Sequence, residues 1–154
     1  MAGAVMREKR FKTRSVEGTL AIGATVAEML VPAEGEGRLV ILRGEVGAGK
    51  TTLVKGIAKA IGAAEEEDVT SPTFTLLHEY EGPKVHLFHL DVYRLETEEQ
   101  IAVLGLHEML EVPNALVLVE WGERFEGVVK LATGEIAMEH GEGDDRGMMV
   151  RWQV

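Results

Sequence analysis

Helix-period segments alternate with short, almost uninterrupted aliphatic runs, which predicts an α/β fold: helices on both faces of a mainly parallel sheet, with antiparallel strands at an edge. Residues 38–43 and 115–119 are nearly all branched aliphatic and read as strands buried on both faces. The third observation specifies the type of sheet. Gly44-Glu45-Val46-Gly47-Ala48-Gly49-Lys50-Thr51 fits the phosphate-binding pattern G-x-x-x-x-G-K-[ST], between the first of these strands and residues 52–62, where Leu53, Ile57, Ala60 and Ile61 share one helical face. A strand feeds the loop and a helix leaves it, so the architecture expected is the three-layer sandwich of P-loop NTPases, one domain over residues 1–154.

Taken in order, the first element is a helix over residues 15–31, with Leu20, Ala24, Ala27 and Val31 at helical spacing, Ser15 as N-cap and Glu17 in the first turn. After the loop and its helix, residues 69–80 and 85–90 read as strands. Residues 97–110 read as a helix opening on Thr97 and Glu98-Glu99. Beyond the strand at 115–119, residues 128–154 carry β-rich segments separated by glycine and acidic residues, the pattern of an antiparallel hairpin closing one edge. The breaks at 32–37, 63–68, 81–84 and 141–145 are too short for domain linkers.

Composition narrows the function classes. With 16 basic and 26 acidic residues in 154, the net charge is −10. No basic cluster exceeds Arg7-Glu8-Lys9-Arg10, so an autonomous grip on a nucleic-acid backbone is disfavoured. There is no cysteine, which removes disulfides, thiolate zinc sites and thiol nucleophiles together. No apolar leader or membrane-length stretch is visible, and the expectation is a soluble cytoplasmic protein without membrane contact.

The loop dictates the first chemistry. Backbone N–H groups and a helix N-terminus surround a polyphosphate, Gly44, Gly47 and Gly49 permit close approach, Lys50 reaches the β- and γ-phosphates, and Thr51 offers a hydroxyl to Mg²⁺. A nucleoside triphosphate with Mg²⁺ is therefore the expected ligand; that it is ATP is what the resemblance described below implies. Such a loop also needs an acidic side chain at the end of a neighbouring strand, to orient Mg²⁺ and the attacking water. Two candidates exist. Residues 115–119 run straight into Glu120, a costly place for a carboxylate unless it meets a cation or water. Residues 86–90 run into Asp91, and even spacing puts His89 and Asp91 on one strand face. Which of the two carboxylates orients the water stays open. In Thr70-Ser71-Pro72-Thr73-Phe74 the proline sets a turn that leaves hydroxyls where nucleotide switches carry a ligand for Mg²⁺ or the γ-phosphate; Thr73 is the candidate. A zinc reading of His86, His89 and Asp91 is disfavoured, because strand residues three apart point to opposite faces. His78, His107 and His140 carry no argument, and Met148-Met149 reads as edge-strand packing.

These pieces together resemble one family, the bacterial ATPase TsaE of tRNA threonylcarbamoyladenosine biosynthesis. The resemblance rests on residues 44–52, Ser71-Pro72-Thr73-Phe74-Thr75, His89-Leu90-Asp91-Val92-Tyr93-Arg94-Leu95 and Leu118-Val119-Glu120-Trp121, in that order and spacing. It extends over residues 15–122 and weakly over the tail. The loop is shared by a vast superfamily; its combination with S-P-T-[FY]-T, H-x-D-x-Y-R and V-E-W is far more specific. The resemblance implies an ATPase required for N6-threonylcarbamoyladenosine at position 37 of tRNAs reading codons that begin with A. It further implies partners, a threonylcarbamoyl transferase of the kinase/glycoprotease type and its paralogue (TsaD and TsaB), with tRNA met only through that complex. Residue by residue, it implies a catalytic set of Lys50, Asp91 and Glu120. The nucleotide would be bound by Thr19, Gly44, Val46, Gly47, Ala48, Gly49, Lys50, Thr51, Thr52 and Trp121, with Arg146 from the tail. Mg²⁺ would be held by Thr51, Glu120 and Thr73.

Three rivals share the loop. A small-molecule P-loop kinase usually carries an Arg-bearing lid, and no Arg-rich segment follows the helix here. A GTPase needs an N-K-x-D element, and the sole asparagine, Asn114, is followed by Ala115-Leu116-Val117; the D-x-x-G match at residues 144–147 follows no buried strand. A non-catalytic adaptor, gated by ATP without consuming it, remains an alternative.

Overall fold

The computed structural model describes residues 5–45 and 47–154. Seven strands, β1 (Met6–Thr13), β2 (Arg38–Arg43), β3 (Leu77–Glu81), β4 (His86–Asp91), β5 (Ala115–Glu120), β6 (Ala132–His140) and β7 (Arg146–Gln153), form one sheet. Their order is β1-β7-β6-β2-β5-β4-β3. The central four, β6-β2-β5-β4, run parallel. Antiparallel strands flank them on both sides: β7 and β1 on one, β3 on the other. The α/β, P-loop type of sandwich is thus as the sequence predicts.

Helices α1 (Val16–Leu30) and α2 (Lys50–Ala60) cover one face of this sheet, and the short helices α3 (Glu98–Ala102), α4 (Leu106–Glu111) and α5 (Glu126–Val129) cover the other. Successive residues of β2 therefore bury into different layers. Val40 and Leu42 pack under α1 and α2, Leu39 and Ile41 against Leu106 and Val128. Burying both faces is why the parallel strands read as continuous aliphatic runs. Between α1 and α2 the backbones touch: a Cβ on Gly23 would lie 2.6 Å from the Cα of Gly56. Ser15 caps α1 by accepting from the Gly18 amide at 2.9 Å, as its position predicts. The loop helix begins at Lys50 and ends just before Gly62, which adopts φ +69°.

Four sequence expectations are corrected. The expected strand over 69–80 shrinks to Leu77–Glu81, because the Pro72 carbonyl accepts from the Leu76 amide at 2.7 Å and Leu76 turns through φ +71°. The expected helix over 97–110 is two helices. Its start is as predicted, a capping box between Thr97 and Gln100, but Gly105 at φ +83° interrupts it and opens α4. The tail does form an antiparallel hairpin, but β6 inserts beside β2 and the hairpin closes no edge. The edge is β1, which pairs with β7 from Met6↔Gln153 to Thr13↔Arg146 and which the sequence reading lacked. Finally, Met148 of the hairpin lies in the core against Met138 and Val150 rather than on an edge. As expected, His86 and His89 separate: His86 stacks on Phe88 and meets Glu79, whereas His89 is fully buried. Among the described residues no helix is long and apolar enough to cross a membrane.

Candidate functional site

Parallel strands deliver their C-terminal ends to one rim of the sheet, and the loop after β2 opens there. Its glycines do conformational work: Gly44, Gly47 and Gly49 sit at φ +152°, +86° and +97°. A Cβ on Gly44 would stand 3.0 Å from the Met138 carbonyl. A turn bond from the Ala48 amide to the Glu45 carbonyl, 3.0 Å, curls the loop before α2 starts. Beside the loop lies a cavity of about 670 Å³. Of the residues the sequence assigned, Gly47, Gly49, Lys50, Thr51, Thr52, Thr73, Asp91, Glu120, Trp121 and Arg146 line it. Glu45, Ser71 and Tyr93 line it as well, with no prior assignment.

Three assigned residues among those described do not line the cavity. Ala48 is buried beneath the loop, and Gly44 meets the site through its carbonyl, which accepts from Lys50 Nζ at 2.5 Å. Val46 lies outside the described residues. Thr19 does not reach the cavity wall: it is buried on α1, its hydroxyl 2.8 Å from that of Thr13, which stands in register with Arg146. Arg146 itself, at the start of β7, is anchored on the carbonyls of Gly143 and Asp145 and lies beside Gly49.

Glu120 ends β5 and is 4% exposed. Its Oε2 is 2.6 Å from His89 Nε2 and its Oε1 3.3 Å from Lys50 Nζ. Burial pushes the Glu120 carboxyl up, but the hydrogen bond and charge of His89, then those of Lys50, outweigh it and hold the group below the usual carboxylate range. The carboxylate is therefore ionised, an acceptor only, and His89 Nε2 donates to it. Directly after it, Trp121 adopts the left-handed conformation, φ +66°, uncommon for a bulky residue. That turn brings the indole over the site, 5.0 Å from Lys50 Nζ and 5.1 Å from the Tyr93 ring.

Asp91 ends β4 directly opposite Glu120 in the ladder and is 5% exposed. Its Oδ2 accepts from the Thr73 hydroxyl and its Oδ1 from the Tyr93 amide, both at 2.9 Å. The Thr73 hydroxyl is also 2.7 Å from that of Ser71. Outside the cavity, one guanidinium nitrogen of Arg124 donates to the carbonyls of Val92, Tyr93 and Leu95 at 2.8, 2.8 and 3.1 Å, fixing the turn after β4. The Arg94 guanidinium lies 4.4 Å from the exposed Phe74 ring. Sequence reasoning missed the link between His89 and Glu120 and the clamp by Arg124. The even spacing of His89 and Asp91 pointed to a shared face; only the pairing of β4 with β5 says what that face meets.

The donor set suits a hard cation and a polyphosphate: the hydroxyls of Thr51 and Thr73, the strand-end carboxylates of Asp91 and Glu120, and the cations Lys50 and Arg146 all line the cavity. Among the described residues no group of three or more His, Asp or Glu forms an all-protein cage. Mg²⁺ bound largely through substrate phosphates needs none.

Comparison with known proteins adds the following. A family model described as "Threonylcarbamoyl adenosine biosynthesis protein TsaE" matches residues 13–148. Proteins described as "tRNA threonylcarbamoyladenosine biosynthesis protein TsaE" are similar to this chain in Nostoc sp. (42% identical over 70% of this chain and 64% of the relative), Treponema pallidum (42% over 75% and 79%) and Bacillus subtilis (35% over 92% and 84%). The chain thus spans less than two thirds of the Nostoc relative's length and about four fifths of the other two. The crystal structure of Bacillus subtilis YdiB superposes with a TM-score of 0.68 at 29% identity, covering 96% of this chain and 87% of that one.

Proposed function

This chain belongs to the TsaE family of threonylcarbamoyl adenosine biosynthesis proteins, and from that premise and the cavity's geometry we propose that it is an ATP-hydrolysing subunit of the machinery that makes threonylcarbamoyladenosine in tRNA. The observation that carries the reading is the meeting of Lys50 and Thr51 with Asp91 and Glu120 at one rim of the sheet. The proposed site is N6-threonylcarbamoyladenosine at position 37 of tRNAs reading codons that begin with A. The proposed partners are the transferase of the kinase/glycoprotease type and its paralogue, TsaD and TsaB, which hold the tRNA in the cytoplasm while this subunit supports their repeated turnover. A net charge of −10 suits a subunit that does not grip RNA itself.

In this reading Lys50, now on Glu120 and the Gly44 carbonyl, moves to the β- and γ-phosphates, while the amides of Gly47 to Thr51 cradle them. Thr51, Glu120 and Thr73 would hold Mg²⁺, which would supply charge neutralisation on the phosphates. Glu120, freed from Lys50, orients the attacking water. Asp91 holds Thr73 and the turn at Tyr93 against the site. Trp121 and Arg146 flank the nucleotide, and Thr19 supports the Arg146 side from behind.

The test is omission of this protein from a reconstituted threonylcarbamoyladenosine system. Modification should stop after a first round and resume on adding the wild type; unchanged multiple turnover without it would remove the assignment. A non-hydrolysable ATP analogue separates the adaptor alternative, since a gated adaptor would sustain turnover with the analogue and an ATPase would not.

A further inference from the structure

We propose that His89 is a positioning residue for hydrolysis, whose Nε2–H fixes Oε2 of Glu120 while Oε1 of the same carboxylate exchanges Lys50 for the reacting groups. This rests on the ATPase reading above. The imidazole is fully buried on β4, on the same strand face as Asp91. Its Nε2 lies 2.6 Å from Glu120 Oε2. Among the described residues its other nitrogen, Nδ1, is sealed from solvent and has no hydrogen-bond partner. Burying a polar ring is costly, and a histidine that only packed the core would satisfy both nitrogens. Here, among the described residues, the ring's one side-chain hydrogen bond goes to Glu120.

The two oxygens of Glu120 differ in what becomes of their partners. Lys50, on Oε1, has a second task at the phosphates and must leave when they arrive. Were Lys50 the sole contact, its departure would release a side chain with three rotatable bonds at the moment its position matters most. His89 sits behind the carboxylate, within the sheet, and nothing in nucleotide binding calls it away. Misplacement of a reacting group by about 1 Å can cost about 100-fold in rate, so an anchor that persists through the exchange has a kinetic use.

The experiment compares His89→Leu, which fills the space without a donor, with His89→Gln, whose amide nitrogen reaches a similar place and donates. With the proposed partners present, His89→Leu should lose turnover by about 10- to 100-fold while Mg²⁺-ATP affinity changes by less than about threefold, and His89→Gln should recover most of the loss. Equal turnover in His89→Leu and wild type overturns the proposal, as does an equal loss in both variants. A readout independent of activity is the imidazole Hε2 proton in nucleotide-free protein. It should be protected and shifted far downfield in the wild type and lose that shift in Glu120→Ala; a resonance indifferent to Glu120→Ala overturns the tether. If the wild type hydrolyses no ATP, the ATPase reading fails on its own and the proton resonance still judges the tether.

Discussion

Glu120 and Asp91 end adjacent parallel strands, face each other in the ladder and are equally buried, yet what they touch differs in kind. Glu120 meets a lysine from the phosphate loop and a histidine from the next strand. Asp91 meets a hydroxyl and a backbone amide, from two different segments of chain. A carboxylate paired with a cation that has another task is poised to exchange partners. One bridging two segments through neutral donors acts as a staple, here between the 70–76 loop and the turn after β4. The Arg124 clamp and the Arg94–Phe74 contact reinforce the same turn and loop, so the Asp91 side reads as shape and the Glu120 side as charge.

This contrast can be broken in several ways. Lys50→Ala removes the cation that serves both the loop and Glu120, and nucleotide affinity should fall by about 100-fold or more, read by calorimetric titration. A fall below about tenfold would mean that the backbone cradle dominates binding. Asp91→Ala should lower stability by about 1–3 kcal/mol, because the Thr73 hydroxyl and the Tyr93 amide lose their acceptor. Hydrogen exchange should then rise in residues 70–76 and 92–95 and stay unchanged in α2. Thr73→Val cuts one arm of the staple and should cost about 1 kcal/mol, with faster exchange confined to the 70–76 loop.

The smallest effect is on acid stability. Because the Glu120 carboxyl is held below the usual carboxylate range, the stability it contributes is fully present above the unfolded value and is lost as pH falls through the lower folded value. Urea midpoints followed from about pH 6 to about pH 3 should therefore fall more steeply in the wild type than in Glu120→Gln. Parallel slopes would show that Glu120 is not held below its usual range.

The charge side of the site was the more legible in the sequence. Gly44 to Thr51 announces the loop by pattern, and a carboxylate at the end of five aliphatic residues stands out at Glu120. Ser15 and Thr97 gave their helices' starts because capping is local chemistry. What failed was what depends on register or neighbours. β1 is an exposed edge strand whose charges break the apolar alternation; of its residues only Phe11 and Thr13 turn to any depth inward. The turn at Leu76 and the break at Gly105 are single-residue conformations inside segments that otherwise fit a strand or a helix. His89 gave no hint of Glu120, since only the pairing of β4 with β5 brings positions 31 residues apart to 2.6 Å.

The division between the two carboxylates is tested most directly by single-turnover hydrolysis of Mg²⁺-ATP, with the partner complex present and nucleotide saturating, in wild type, Glu120→Gln and Asp91→Ala side by side. Glu120→Gln should keep nucleotide affinity within about threefold and stay folded at the assay temperature, with only the small loss of stability that the missing charge entails, while hydrolysis slows by about 100- to 1,000-fold. Asp91→Ala should lose turnover together with stability and recover part of it on cooling. Wild-type hydrolysis by Glu120→Gln, with the chemical step lost in a stably folded Asp91→Ala, would contradict the account and exchange the two roles.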